Sequence, residues 1–394
     1  MKKEIPLGLL FSVTGTYGAI GRDLFDGALM AIEEINDDES NPISFNAIIG
    51  DPGGNIDEYH KMCEGMLRHD KCKQIIGSIT SIGRKEITPI IEKYDALLWY
   101  TSPYEGFEVC ENIIYTGAAP NQHIIPLFEH MFTHFGKNAY LVGANYVWGW
   151  EVNRIARELI ASVDGEVLGE KYLPLDDVDV ERIIDEIEHK KPDFILNNLV
   201  GNSSYAFIRA YHELGKRNSD FLAIKRPIIS CDLSECDLKH IGAEAAEGHL
   251  STAVYFENLD NSLNEIFRDK VTKYFNRNRS ISSFLISGYE TVHMISKSVA
   301  IAQTDEILAV KDALYVCEFE TAMGRMKIDS KTNHACLTPL LGRINSTLEF
   351  DIIDAAKQPI IADPYLINFN AEQFSKRIAT LKRLEDSDYL TVIK

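Results

Sequence analysis

Short apolar runs and amphipathic stretches alternate along the first hundred residues. Leu7, Leu9, Leu10 and Phe11 open the pattern as a strand over 7–11. A Gly/Thr loop over 12–21 follows, and Leu24, Ala28, Leu29, Ile32 and Ile35 then recur at helical spacing. A second strand over 45–49 ends in the turn signal Asp51-Pro52-Gly53-Gly54. A helix over 57–69, a strand over 74–77, a helix over 84–94 and a strand over 96–100 continue the series. Ser81 stands where it can cap the third helix, and Pro89 marks a kink or a late start within it.

The alternation resumes after Gly117-Ala118-Ala119-Pro120, with strands expected over 139–143, 165–172, 194–198 and 228–230. From Ile281 a long helical pattern runs through Leu285, Gly288, Tyr289, Val292 and Ile295, before strand-like segments at 340–344 and 347–353. Repeated strand–helix units without a long linker predict an α/β chain: two doubly wound parallel-sheet lobes joined by short hinge crossings. The expected lobes are 1–120 with 254–330, and 121–253 with 331–394.

At 394 residues the chain exceeds one ordinary core, which agrees with two lobes. A net charge of -19 argues against direct binding to nucleic acid or an anionic membrane. No apolar stretch approaches the roughly 20 residues that span a bilayer, so membrane insertion is not expected. The odd count of cysteines (seven, without dense spacing) fits reduced thiols better than a disulfide framework, and Cys231 and Cys236 lack a second pair for zinc. Lys2 and Lys3 followed by 5–11 read as a first strand rather than a secretion leader, so a cytoplasmic location is expected, with a periplasmic one as the alternative.

No nucleophile elbow, phosphate loop, zinc-protease motif or dinucleotide fingerprint is present, and no enzyme activity or cofactor is expected. Gly15, Gly18 and Gly21 read as a turn feeding a helix, Asp51 as a turn-forming residue, and His130 and His134 as an ordinary helix surface rather than a metal pair. Five loops at predicted strand ends are richer: 78–81, 100–104, 145–150, 201–204 and 231–235. Facing lobes would bring all five to one cleft. The run from Trp99 to Glu108 offers aromatic and hydroxyl groups with no fixed positive charge, a surface for a small neutral polar molecule.

The chain resembles the AmiC-type amide-sensing negative regulators of aliphatic amidase operons, within the type I periplasmic-binding-protein fold. The likeness is carried by Gly8-Leu9-Leu10-Phe11-Ser12, Asp51-Pro52-Gly53-Gly54, Asp95-Ala96-Leu97-Leu98 and Tyr104-Glu105-Gly106-Phe107-Glu108. It continues through Ala119-Pro120-Asn121-Gln122, Ala246-Glu247-Gly248 and Asp363-Pro364-Tyr365. The resemblance implies a short aliphatic amide or urea-like molecule held between the lobes by Ser81, Tyr100, Ser102, Pro103 and Tyr146. Three positions depart from those sensors: Ile79 replaces an aromatic, Ser102 a threonine and Trp148 a tyrosine. Asp232 adds a carboxylate to a loop that is neutral in them and would accept from urea, guanidine or an amine. The implied role is a ligand-responsive regulator that sequesters an antiterminator-type partner, with a homodimer left open. The alternative is the substrate-binding component of an ABC transporter, delivering urea or short amides to a permease. An amide hydrolase would need a nucleophile and base that the motifs do not supply.

Overall fold

The structure, a computed structural model, describes residues 2–276 and 279–392; the ends of the expected lobes at Met1 and Lys394 lie outside these. Among the described residues, fifteen strands form two sheets. In chain order they are β1 (Lys3–Leu10), β2 (Ile43–Gly50), β3 (Gln74–Gly77), β4 (Leu97–Tyr100) and β5 (Ile113–Tyr115). Next come β6 (Ala139–Ala144), β7 (Val167–Leu173), β8 (Phe194–Asn198), β9 (Ile228–Ser230) and β10 (Leu250–Ala253). The last five are β11 (Phe319–Thr321), β12 (Gly324–Asp329), β13 (His334–Cys336), β14 (Leu340–Ile344) and β15 (Phe350–Ala355).

The first sheet has the order β11-β12-β13-β5-β4-β3-β1-β2, the second β15-β14-β10-β9-β8-β6-β7. Both are parallel through their centres, where the strands are short apolar runs buried on both faces, as at Leu97–Tyr100. Each sheet ends in antiparallel strands at one edge, a feature that the strictly parallel expectation lacked. The chain crosses between sheets after β5, after β10 and after β13. The expected boundary at 330/331 therefore shifts: β13 pairs with β12 and β5, which keeps His334–Cys336 in the first lobe.

Helices cover both sheets. Helix Gly18–Asp37 packs on helix Ser283–Ala302, and the contact is close because Gly27 and Gly288 lie at it. A Cβ on either would collide with the other helix's backbone, at Leu285 O and Leu24 O respectively. The helix expected over 84–94 runs from Ser81 to Lys93 and continues through Pro89. Its cap is Thr80, not Ser81: the Thr80 hydroxyl accepts from Gly83 N at 3.0 Å, which places Ser81 in the first turn. Among the described residues no helix is long and apolar enough to cross a membrane.

Candidate functional site between the lobes

All eight residues singled out in the sequence, Ile79, Ser81, Tyr100, Ser102, Pro103, Tyr146, Trp148 and Asp232, line one cavity. Each sits at or just after the carboxyl end of a parallel strand, where open sheets present their loops. The first lobe supplies residues following β3 and β4, and the second those following β6 and β9. Four further residues complete the wall: Tyr17, Ile20, Val200 and Phe284.

Not every expected loop reaches it. From the 201–204 region only the preceding Val200 lines the cavity, and Gly201 instead packs closely on Thr16 O of the first lobe. Trp150, the third aromatic of its loop, is 47% exposed. The glycine-rich loop that read as a plain turn does contribute, through Tyr17. It is held by Asp51, whose carboxylate accepts from Val13 N at 3.1 Å, Gly53 N at 3.0 Å and Thr14 Oγ1 at 2.8 Å. The Asx-turn reading of Asp51 and the cleft-mouth position of the loop are thus parts of one structure.

The lobes meet around the cavity. Thr16 Oγ1 donates to Asp176, Glu257 N donates to Glu235 Oε1 at 3.0 Å, and Ser283 N lies 3.3 Å from Ser234 Oγ. The Arg154 guanidinium of the second lobe covers the Phe107 ring of the first, 4.3 Å from its centre. The space inside that is open to the centre of a water-sized sphere is about 30 Å³, which suits a molecule of a few heavy atoms.

Hydrogen-bond directions define what such a molecule must offer. Ser81 gives its hydroxyl proton to Glu105 Oε2 at 2.5 Å, and Tyr100 gives its own to Ile79 O at 3.0 Å. Both oxygens therefore turn only lone pairs toward the cavity. Trp148 Nε1, a pure donor, has no partner, and neither do Ser102 Oγ and Tyr17 Oη, although all three atoms are buried. Thr80 satisfies Gly83 N, so the Ser81 and Ile82 amides at the helix start have no intrahelical acceptor. Three unpartnered buried polar groups around one small void are costly unless a ligand satisfies them.

The electrostatics point the same way. No Lys or Arg lines the cavity among the described residues. Burial pushes the Asp232 carboxyl up to about 7, with Asp237 adding to the rise and the Ser230 hydroxyl, 2.6 Å away, opposing it. Glu235 and Asp237 nearby are pushed up to about 8 and about 6 by burial as well. Arg84 is fully buried behind the wall, its guanidinium 4.5 Å from the Tyr100 ring centre. It is held by Glu105 at 2.9 Å and Glu108 at 2.8 Å. Against the cost of burial, Arg84 and Lys85 hold the Glu108 carboxyl down at about 2.

The seven cysteines are free thiols, all buried except the half-buried Cys336. His130 and His134 on helix Pro120–His134 have ring centres 4.1 Å apart with their planes tilted by 38°. No group of three or more His, Cys, Asp or Glu is arranged to hold a metal among the described residues.

Two α/β lobes closing loops from their strand ends over a small polar void define a cleft-type ligand-binding protein. The chain belongs to the periplasmic-binding-protein family: residues 5–371 match the family described as "periplasmic binding protein domain". It is similar in fold to a Rhodopseudomonas palustris ABC transporter solute-binding protein in complex with 4-hydroxybenzoate. That match has a TM-score of 0.80 at 16% identity and covers 93% of this chain and 100% of that one. A substrate-binding protein of an amino acid ABC transporter from Pseudomonas fluorescens matches with a TM-score of 0.77 at 15% identity, over 92% and 97% of the two chains. A curated relative named limonene hydroxylase, from Geobacillus stearothermophilus, is 27% identical over 158 residues. The match takes in 39% of this chain and only 29% of that protein. The family and the structural neighbours are ligand-binding proteins.

Proposed function

We propose that this protein binds a short amide or urea-like molecule between its lobes and serves as the solute-binding component of an uptake system. One observation carries the ligand reading. The cavity pairs acceptors (Ser81 Oγ, Tyr100 Oη, Asp232) with an unpartnered donor (Trp148 Nε1–H) and has no lining cation. A carbonyl flanked by N–H groups complements that set. A carboxylate would face Asp232 without a counter-charge. The transport role is supported by the fold shared with ABC solute-binding proteins.

Affinity is bounded by size. About four heavy atoms at a ceiling near -1.5 kcal/mol each give about -6 kcal/mol, or tens of micromolar.

The regulatory reading, in which ligand binding releases an antiterminator-type partner, is favoured by a different observation. Seven free thiols and no disulfide suit a reducing compartment. A thermal-shift screen over acetamide, propionamide, urea, guanidine, isoleucine and 4-hydroxybenzoate tests the ligand. Stabilisation by amides or urea supports the reading, and stabilisation by the carboxylates alone contradicts it. Pull-down with an ABC permease or with an RNA-binding antiterminator, with and without that ligand, separates the two roles.

A further inference from the structure

A second cavity adjoins the first where the chain crosses between lobes, with about 20 Å³ open to the centre of a water-sized sphere. Pro103, Asp232 and Phe284 are walls common to both. Trp148 of the first cavity and His123 of the second have ring centres 5.9 Å apart. Thr101 follows β4 between Tyr100 and Ser102, yet it lines this second cavity while they line the first. Thr252 comes from the end of β10, at the second crossing.

The lining is largely apolar, with Ala118, Leu233 and Val254 among it, but three polar atoms on its buried side chains have no partner. They are Thr101 Oγ1, Thr252 Oγ1 and His123 Nδ1. His123 Nε2 lies 2.9 Å from Tyr104 O, and a carbonyl only accepts, so Nε2 carries the proton. Burial lowers the imidazole pKa to about 4, which keeps the ring neutral and leaves Nδ1 a bare acceptor. One acceptor and two hydroxyls are the complement of a single hydroxyl group, which donates once and accepts twice.

We propose that the two cavities form one two-compartment site whose ligand is an ω-hydroxy amide. The amide head sits beside Ser102 and Trp148, a short methylene chain passes Pro103 and Phe284, and the terminal hydroxyl meets His123, Thr101 and Thr252. This rests on the reading of the first cavity as an amide site.

Calorimetry on the full chain tests it with matched pairs: propionamide against β-hydroxypropionamide, and butyramide against γ-hydroxybutyramide and its methyl ether. The hydroxy amide of the fitting length should bind about tenfold tighter than its parent amide. The ether, which cannot donate to His123, should lose that gain. Thr252→Val should bring the hydroxy amide back toward its parent. Equal affinities within every pair on the unmodified protein overturn the proposal, and the second cavity is then a water site. That comparison decides even if Thr252→Val fails to fold. Absence of binding by every amide instead overturns the amide reading itself.

Discussion

Ser81 Oγ donates to Glu105 at 2.5 Å, and the same carboxylate holds the buried Arg84 at 2.9 Å. The ligand-facing hydroxyl is thereby oriented by a charge pair that lies outside the cavity. Glu105→Gln should cost about 3 kcal/mol of stability, because it leaves part of a fully buried guanidinium charge unpaired. Thermal denaturation without ligand measures it. An unchanged midpoint would show that Glu108 alone satisfies Arg84.

Removing Trp148 Nε1–H should have opposite effects on stability and on binding. In the free protein that group is buried and unpartnered, so Trp148→His or a larger cut would confuse the outcome with lost packing. Ser102→Ala is the cleaner variant. It removes another unpartnered group at little volume cost, and should leave stability unchanged or raise it by about 1 kcal/mol while weakening amide binding several-fold. Thermal melts with and without ligand read both numbers.

Tyr100→Phe should lose on both counts. Its hydroxyl satisfies Ile79 O at 3.0 Å, so the variant leaves a buried carbonyl unpaired at about 1–2 kcal/mol and removes a lone pair from the cavity. Paired denaturation and titration experiments check it, and full stability with full affinity would misplace the site.

Asp232 makes stability depend on pH in a defined direction. Its folded pKa, about 7, lies above the ordinary carboxylate value, so the folded state binds the proton more tightly than the unfolded chain. The contribution is therefore most favourable below the ordinary value of 3.8, declines as pH rises from there, and is fully lost above about 7. Asp232→Asn should accordingly stabilise the ligand-free protein at pH 8, by on the order of 2 kcal/mol, and have little effect near pH 4. Melts at the two pH values test the sign. The same variant should weaken guanidine binding at pH 8 more than urea binding, since only the former brings a charge.

Much of the site was legible because strand ends are legible. Apolar runs at 74–77, 97–100, 139–144 and 228–230 mark where loops leave a parallel sheet, and the polar and aromatic residues just beyond them converge once two lobes face each other. Tyr17 and Phe284 escaped notice for physical reasons. Tyr17 lies in a loop whose glycines satisfy an ordinary turn, and Phe284 belongs to the apolar pattern of a core helix. The three-residue strands β5, β11 and β13 carry too few positions to show a period, so the last crossing was placed before β13 instead of after it. Thr80 and Ser81 are adjacent hydroxyl residues, and only backbone geometry decides which one caps.

The most direct measurement is calorimetric titration of acetamide and urea into the unmodified protein and into Trp148→Phe, which keeps an aromatic ring but loses the unpartnered N–H. Saturable binding at tens of micromolar or weaker, weakened about tenfold in the variant while the variant still melts cooperatively, is the predicted result. No heat from either compound, or equal affinity in both proteins, would contradict a carbonyl seated against Trp148 and with it the amide reading of the cleft.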